Sequence, residues 1–148
     1  MSSALSDGTE ISTIDIDVLL NSIDNHHYLK NKTLDDVSIE NQNALVSLQM
    51  NETQVEEYSK KLFNYRLVEN LFEVQQGKHI RWIRNNDTCK KLTNGGIVLE
   101  VCFFDKGSYI LCKSHQHRLF QIKFDDCVIF QKCSQIEQVI LWANNRIT

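Results

Sequence analysis

The spacing of apolar residues changes near Gly77, from a repeat of three or four residues to alternation. Before Gly77, apolar side chains recur once per helical turn, as in a helix with one buried face. After Gly77 they alternate with polar side chains, as in a strand with one buried face. The pattern therefore predicts an α+β protein with a helical N-terminal region followed by antiparallel strands.

Two helices are predicted before residue 51. The second of them runs from Thr33 to about Met50. Residues 1–12 are polar and small, so we expect a flexible tail ahead of the first helix. The apolar face that defines the first helix consists of Ile16, Leu19, Leu20 and Ile23.

The third predicted helix has the clearest start. Asn51 is a favourable N-cap residue, and Gln54 three positions later completes the pattern of a capping box. Helical spacing continues as far as Val68 or Leu71. The apolar stripe either packs on the protein's own barrel or lies in a groove of a partner protein. The stripe consists of Val55, Tyr58, Leu62 and Tyr65.

Five short strands and a final helix are predicted after Gly77. Turn-forming residues separate the strands. The second strand is apolar on both faces, so we expect it in the middle of the sheet. Ser134 is positioned to cap the final helix. The strands are predicted around residues 80–82, 97–104, 109–113, 120–124 and 127–130.

The segment from residue 74 to 132 resembles SH3-like barrels of the Tudor and KOW kind. It opens with Val74-Gln-Gln-Gly-Lys-His-Ile-Arg-Trp82, in which a glycine precedes an apolar–basic–apolar strand, and four short strands follow. The resemblance implies a five-stranded antiparallel β-barrel. The predicted division is a flexible tail at 1–12, an acidic helical region at 13–73, and a small barrel with a closing C-terminal helix at 74–148.

Several segments are also similar to uncharacterised proteins of large DNA viruses. This similarity implies a virion or assembly component that acts in the host cytoplasm or nucleus. It implies no site residues. The segments are Ile80-Arg-Trp-Ile83, Leu92-Thr-Asn-Gly-Gly-Ile97, Tyr109-Ile-Leu-Cys-Lys113, Phe120-Gln-Ile-Lys123 and Ile129-Phe-Gln-Lys132.

Charge is divided unevenly between the two halves. Residues 1–76 hold 5 Lys/Arg and 13 Asp/Glu, whereas residues 77–148 hold 11 and 6. The basic half predicts either docking onto the acidic half or a face for an anionic partner. Binding of single-stranded RNA or DNA is therefore the alternative function, although the whole-chain charge of −3 weighs against it. The candidate residues are Arg81, Arg84, Lys113, Arg118 and Lys123.

No motif in the sequence predicts catalysis, and no cofactor is predicted. The five cysteines form no Cys-x-x-Cys pair, so we interpret them as free thiols. Zinc is bound by four nitrogen or sulfur ligands, and Cys112, His115 and His117, with Cys102 or Cys127 as the fourth, form a weak candidate metal site. Against it, Cys112 is expected to point into the barrel while the histidines lie in an exposed turn.

The sequence also predicts location and the kind of partner. No apolar run reaches the roughly 18 residues that cross a bilayer, and the N-terminus lacks a secretory pattern. We therefore expect a cytoplasmic protein without membrane contact. The preferred function is a non-enzymatic interaction or structural module that binds another protein or a second copy of itself through its barrel and amphipathic helices.

Overall fold

A computed structural model describes residues 26–147, so the predicted tail and the first predicted helix lie outside the described residues. These residues belong to two compact units. One unit holds residues 34–134, and the other holds residues 26–33 together with 135–147. None of the helices in the described part of the chain is long and apolar enough to cross a membrane.

The predicted second, third and final helices are confirmed, with one boundary corrected. Asn51 accepts a hydrogen bond from the Gln54 backbone N–H at 2.8 Å, and the Gln54 side chain accepts one from the Asn51 N–H. The helix after Asn51 ends at Lys61, so its predicted continuation to Val68 or Leu71 is wrong. The helices are α1 (Leu34–Ser47), α2 (Glu52–Lys61) and α3 (Gln135–Ile147).

Six antiparallel strands form one sheet in the unit of residues 34–134. All five predicted strands are present. The additional strand is β1, which pairs with β6 and places Tyr65 opposite Lys132. The strands are β1 (Tyr65–Val68), β2 (His79–Arg84), β3 (Gly96–Phe104), β4 (Gly107–Lys113), β5 (Leu119–Lys123) and β6 (Cys127–Lys132), in the order β1-β6-β2-β3-β4-β5.

The α+β prediction is confirmed, but the five-stranded barrel is corrected to an open six-stranded sheet. The hydrogen-bonded order ends at β1 on one side and at β5 on the other. The extra strand was missed because Tyr65 stands three residues after Leu62, which continues the helical spacing of α2. The helix ends at Lys61, and Asn64 in the turn that follows has a φ of 67°, a left-handed conformation that does not continue a helix.

The sheet buries apolar side chains on both of its faces. One cluster, called here the inner core, contains buried residues from all six strands, among them Trp82, Ile110 and Ile122. A second cluster joins the opposite face of β2 and β6 to α1 and α2, with Ile83 and Phe130 fully buried. The alternating side chains of β2 and β6 therefore serve both cores.

In the other unit, two side chains of α3 form hydrogen bonds to the segment before α1. The Tyr28 hydroxyl donates a 2.7 Å hydrogen bond to the buried Glu137 carboxylate. The Asn144 amide donates to the backbone oxygens of Leu29 and Lys32 at 2.9 and 2.8 Å. These bonds tie the segment before α1 to the final helix. The predicted role of α3 as a closing helix stays a prediction.

Candidate functional site

A cleft of about 250 Å³ lies between two turns at one end of the sheet. One turn is residues 93–95, between β2 and β3. The other is residues 114–118, between β4 and β5. Six of the lining residues are Trp82, Arg84, Asn94, His115, Arg118 and Phe120. The cleft therefore combines two aromatic rings with two guanidinium groups.

Strand geometry brings the aromatic rings together at the base of the cleft. Trp82 and Arg84 are two residues apart on β2, so they point to the same face of the sheet. The rings of Trp82 and Phe120 meet edge to face, with centroids 6.3 Å apart and planes at 65°. Trp82 is only 3% exposed, whereas Phe120 is 38% exposed. Phe120 therefore offers the accessible ring, and Trp82 supports it from the core.

The turn of residues 93–95 is fixed against β2 by its backbone. The Thr93 N–H donates to the Trp82 carbonyl at 3.0 Å, and the Thr93 hydroxyl accepts from the Trp82 N–H at 3.2 Å. Gly95 has a φ of 79°, and a Cβ there would lie 1.9 Å from the Ile80 carbonyl oxygen. Only glycine fits this position. The two Thr93 hydrogen bonds hold this wall of the cleft against β2.

The turn of residues 114–118 is equally constrained. The Ser114 N–H donates to the Arg118 carbonyl at 2.8 Å, and the His117 N–H donates to the Ser114 carbonyl at 2.9 Å. The Ser114 hydroxyl accepts from the Arg118 N–H at 3.2 Å. His117 adopts a φ of 62°, which allows a three-residue loop to close the hairpin. These bonds place Arg118 at the mouth of the cleft.

The cleft is basic. Arg84 and Arg118 are exposed, and among the described residues that line the cleft none is an Asp or Glu. The indole N–H of Trp82 is buried below the surface and has no acceptor within residues 26–147. The cleft therefore suits an anionic ligand with a flat ring.

The structure divides the five basic residues that the sequence singled out. Arg84 and Arg118 line the cleft. Arg81 points to the opposite face of β2, where its Nε donates to the Thr93 carbonyl at 2.8 Å. Lys113 and Lys123 pair with Leu119 and Tyr109, on the sheet face that turns away from the inner core. The basic residues therefore form no single face.

The apolar stripe predicted on the third helix lies inside the protein's own core. Val55 and Leu62 are buried and pack with Leu45 and Phe130, and Tyr58 is packed against the same cluster. Tyr65 belongs to β1 and not to the helix. The sequence left two interpretations of this stripe open: packing on the protein's own barrel, or binding in a partner's groove. These contacts support packing on the protein's own sheet.

The weak metal candidates are not brought together. Cys112 lies in the inner core with no exposed surface, where burial raises the pKa of its thiol to about 12. His115 and His117 are exposed in the turn of residues 114–118. Across residues 26–147, no group of three His, Cys, Asp or Glu side chains could hold a metal ion.

Sequence reasoning missed a tyrosine–histidine pair on the helix side of the sheet. The Tyr65 hydroxyl lies 2.8 Å from Nδ1 of His79. Burial, helped by the positive charges of Arg81 and Lys132, lowers the pKa of His79, and a hydrogen bond to the Asn94 backbone opposes this. Burial also raises the pKa of Tyr65. Without β1, no sequence signal placed these rings together.

No protein-family model, curated protein or solved structure matches the chain.

Proposed function

We propose that this protein is a non-enzymatic binding module that holds single-stranded nucleic acid in the cleft between residues 93–95 and 114–118. The observation that carries the proposal is that Arg84, Arg118 and the ring of Phe120 line the same cleft. Proteins that bind single strands combine positive charge for the backbone with aromatic rings on which bases stack. Both parts are present in one cleft.

The rigidity of the cleft supports the same proposal. Arg118 follows a hydrogen-bonded turn, and Phe120 rests edge to face on the buried Trp82. A ring held in advance loses little conformational freedom when a base stacks on it. The size of the cleft, about 250 Å³, suits one base and one phosphate at a time.

The first test measures binding of fluorescein-labelled oligothymidylate and oligouridylate by anisotropy at several salt concentrations. Because phosphate contacts release counterions, we expect affinity to fall as salt rises. Arg84→Ala and Arg118→Ala should each weaken binding and lower the salt slope by about one. Phe120→Ala should cost about 1 to 3 kcal/mol, the usual value of one stacked base.

The matched control is Lys106→Ala, which removes an exposed cation outside the cleft. This variant should bind as tightly as the wild-type protein. In a Trp142→Phe background, Trp82 is the remaining tryptophan, so its fluorescence reports directly on the cleft. Equal losses for Lys106→Ala and Arg118→Ala, or no binding even at low salt, would overturn the proposal.

A second candidate function is protein–protein interaction, which the outer surface of β3, β4 and β5 favours. We call this surface the outer face. It is made of the alternate side chains that point away from the inner core, and Leu119 and Phe104 on it are 64% and 55% exposed. A protein partner would bury such apolar side chains. Its residues include Ile97, Cys102, Phe104, Tyr109, Leu111 and Leu119.

A further inference from the structure

Strand β5 ends the sheet with one side unpaired by any element that the structure describes. Its surface is apolar, with Leu119 64% and Phe120 38% exposed. Proteins usually block such an edge with proline, several charges or a covering segment. The chain contains no proline, and the one charged residue in β5 is Lys123 at its end. This edge can therefore accept another strand.

The hairpin between β4 and β5 determines which backbone groups face outward. The Ser114 N–H donates to the Arg118 carbonyl, and Cys112 lies opposite Phe120. Hydrogen-bonded pairs alternate along an antiparallel ladder, so Phe120 and Ile122 direct their backbone groups toward β4. The backbone N–H and C=O groups of Leu119, Gln121 and Lys123 then point away from the sheet.

We propose that β5 pairs antiparallel with β5 of a second copy of this chain, about a two-fold axis that passes by Gln121. In this register Gln121 faces its own equivalent, and Leu119 faces Lys123 of the second copy. Two hydrogen bonds per facing pair give about six across the interface. This inference deepens the protein-interaction candidate and does not depend on nucleic-acid binding.

The side chains of β5 are compatible with this pairing. Each Lys123 lies opposite a leucine, so no like charges face each other, and its aliphatic stem can cover the Leu119 side chain. Phe120 lies opposite Ile122 of the second copy, a pairing of aromatic and β-branched side chains that stabilises sheets. The strand sequence Leu-Phe-Gln-Ile-Lys is thus self-complementary in antiparallel register.

The opposite edge of the sheet explains why assembly stops at two copies. In β1, the Tyr65 N–H donates to the Leu62 carbonyl at 2.9 Å. The Tyr65 carbonyl accepts from the Asn41 side-chain amide at 2.8 Å. With these groups occupied, β1 is a poor partner for β5 of another copy. Pairing of β5 with β5 uses both free edges and closes the assembly.

The test measures molar mass by size-exclusion chromatography with light scattering, without nucleic acid, over a range of concentrations. We expect the wild-type mass to approach twice that of one chain. Leu119→Lys places two like-charge pairs across the interface, so its dissociation constant should rise at least about tenfold. Leu119→Glu changes the same exposed position but faces Lys123 of the second copy, so it should dimerise at least as well as wild type.

A second pair of variants tests the backbone contact itself. Gln121→Pro removes an outward N–H that makes no bond to β4, and proline is tolerated at such edge positions. We expect this variant to be monomeric, whereas Gln121→Ala stays dimeric. Circular dichroism and the thermal midpoint check that each variant is folded.

Hydrogen exchange on the wild-type protein provides a test that needs no variant. The outward amides of Leu119, Gln121 and Lys123 should become protected as protein concentration rises. A wild-type protein that is monomeric at every concentration, or a dimer that survives both Leu119→Lys and Gln121→Pro, would overturn the inference. Because Arg84 and Arg118 are unchanged in these variants, oligonucleotide binding is judged separately.

Discussion

The half of the sheet made by β1, β6 and β2 differs from the half made by β3, β4 and β5 in what covers it. In the first half, both faces are packed: Ile83 and Phe130 on the helix side, and Trp82 and Ile129 in the inner core. In the second half, Ile110 and Ile122 fill the inner core while the outer face is exposed. We call these the covered half and the bare half.

The covered half also contains a buried polar network, which the bare half does not show among its described residues. Arg66 on β1 forms a 3.0 Å ion pair with Glu73, and both side chains are almost fully buried. Gln131 on β6 donates to the Glu73 carbonyl and accepts from the Gln75 N–H. Such a network fixes strand register, because every member must find its partner. Stability should therefore reside in the covered half, and protein interaction in the bare half.

The largest expected effect is a difference in stability loss between two variants, each of which removes one carboxylate from one half of the sheet. Glu73→Ala leaves the Arg66 guanidinium buried without its partner, so we expect a loss of about 3 to 5 kcal/mol in the free energy of unfolding. Glu100→Ala removes an exposed carboxylate from the outer face of β3, and its effect should lie within about 0.5 kcal/mol. Urea denaturation measures both. Equal losses would contradict the distinction between the halves.

A smaller effect is expected at the junction between the halves, in the turn that joins β2 to β3. Gly95→Ala combines a left-handed φ with a clash against the Ile80 carbonyl, so it should cost about 2 kcal/mol or more. Gly77→Ala is the matched control, because Gly77 has a φ of 86° but no atom within 4 Å of an added Cβ. It should cost only about 1 kcal/mol. Thermal and urea unfolding measure both losses, and a larger loss for Gly77→Ala than for Gly95→Ala would contradict this prediction.

A third substitution should make the β1 edge of the covered half resemble the β5 edge of the bare half, by freeing a backbone group. Asn41→Ala removes the amide that bonds the Tyr65 carbonyl, which should cost about 1 to 2 kcal/mol. It also frees an acceptor on β1, so light scattering should detect species larger than a dimer. Asn43→Ala alters an exposed position of the same helix and should produce neither change. Matching behaviour of the two variants would disprove a role for Asn41 at the edge.

The smallest expected effect is a pH dependence in the covered half. The pKa of His79 is lowered from its ordinary value of 6.5, chiefly by burial. Its contribution to stability is therefore complete above about pH 6.5 and declines as the pH falls below that value toward the folded-state pKa. The thermal midpoint should decrease between about pH 7 and pH 5, and His79→Gln should flatten this decrease. An unchanged slope in the variant would assign the pH dependence to other groups.

Local sequence signals predicted much of the fold. The Asn51–Gln54 capping box was confirmed because it depends on residues three apart. The alternation after Gly77 predicted the five strands from β2 to β6. These signals succeed because caps, turns and alternating burial are imposed by neighbouring residues along the chain.

The candidate site could be predicted only in part. Arg84 and Arg118 were recognised as basic candidates, but so were Arg81 and Lys113, which do not line the cleft. Charge counts do not show which strand face a side chain takes or which turns meet. Only the pairing of β2, β3, β4 and β5 brings the turns at residues 93–95 and 114–118 to the same end of the sheet.

The sequence by itself determined the helix starts, the turns and the alternation of the strands, because each is governed by residues close together in the chain. The tertiary structure decided the rest. It made Tyr65–Val68 a strand, because pairing with Ile129–Lys132 and burial of Val68 in the inner core outweigh the helical spacing that these residues continue. It also left the outward side of β5 unpaired by any element of residues 26–147, since sheet order depends on long-range contacts that no local pattern encodes.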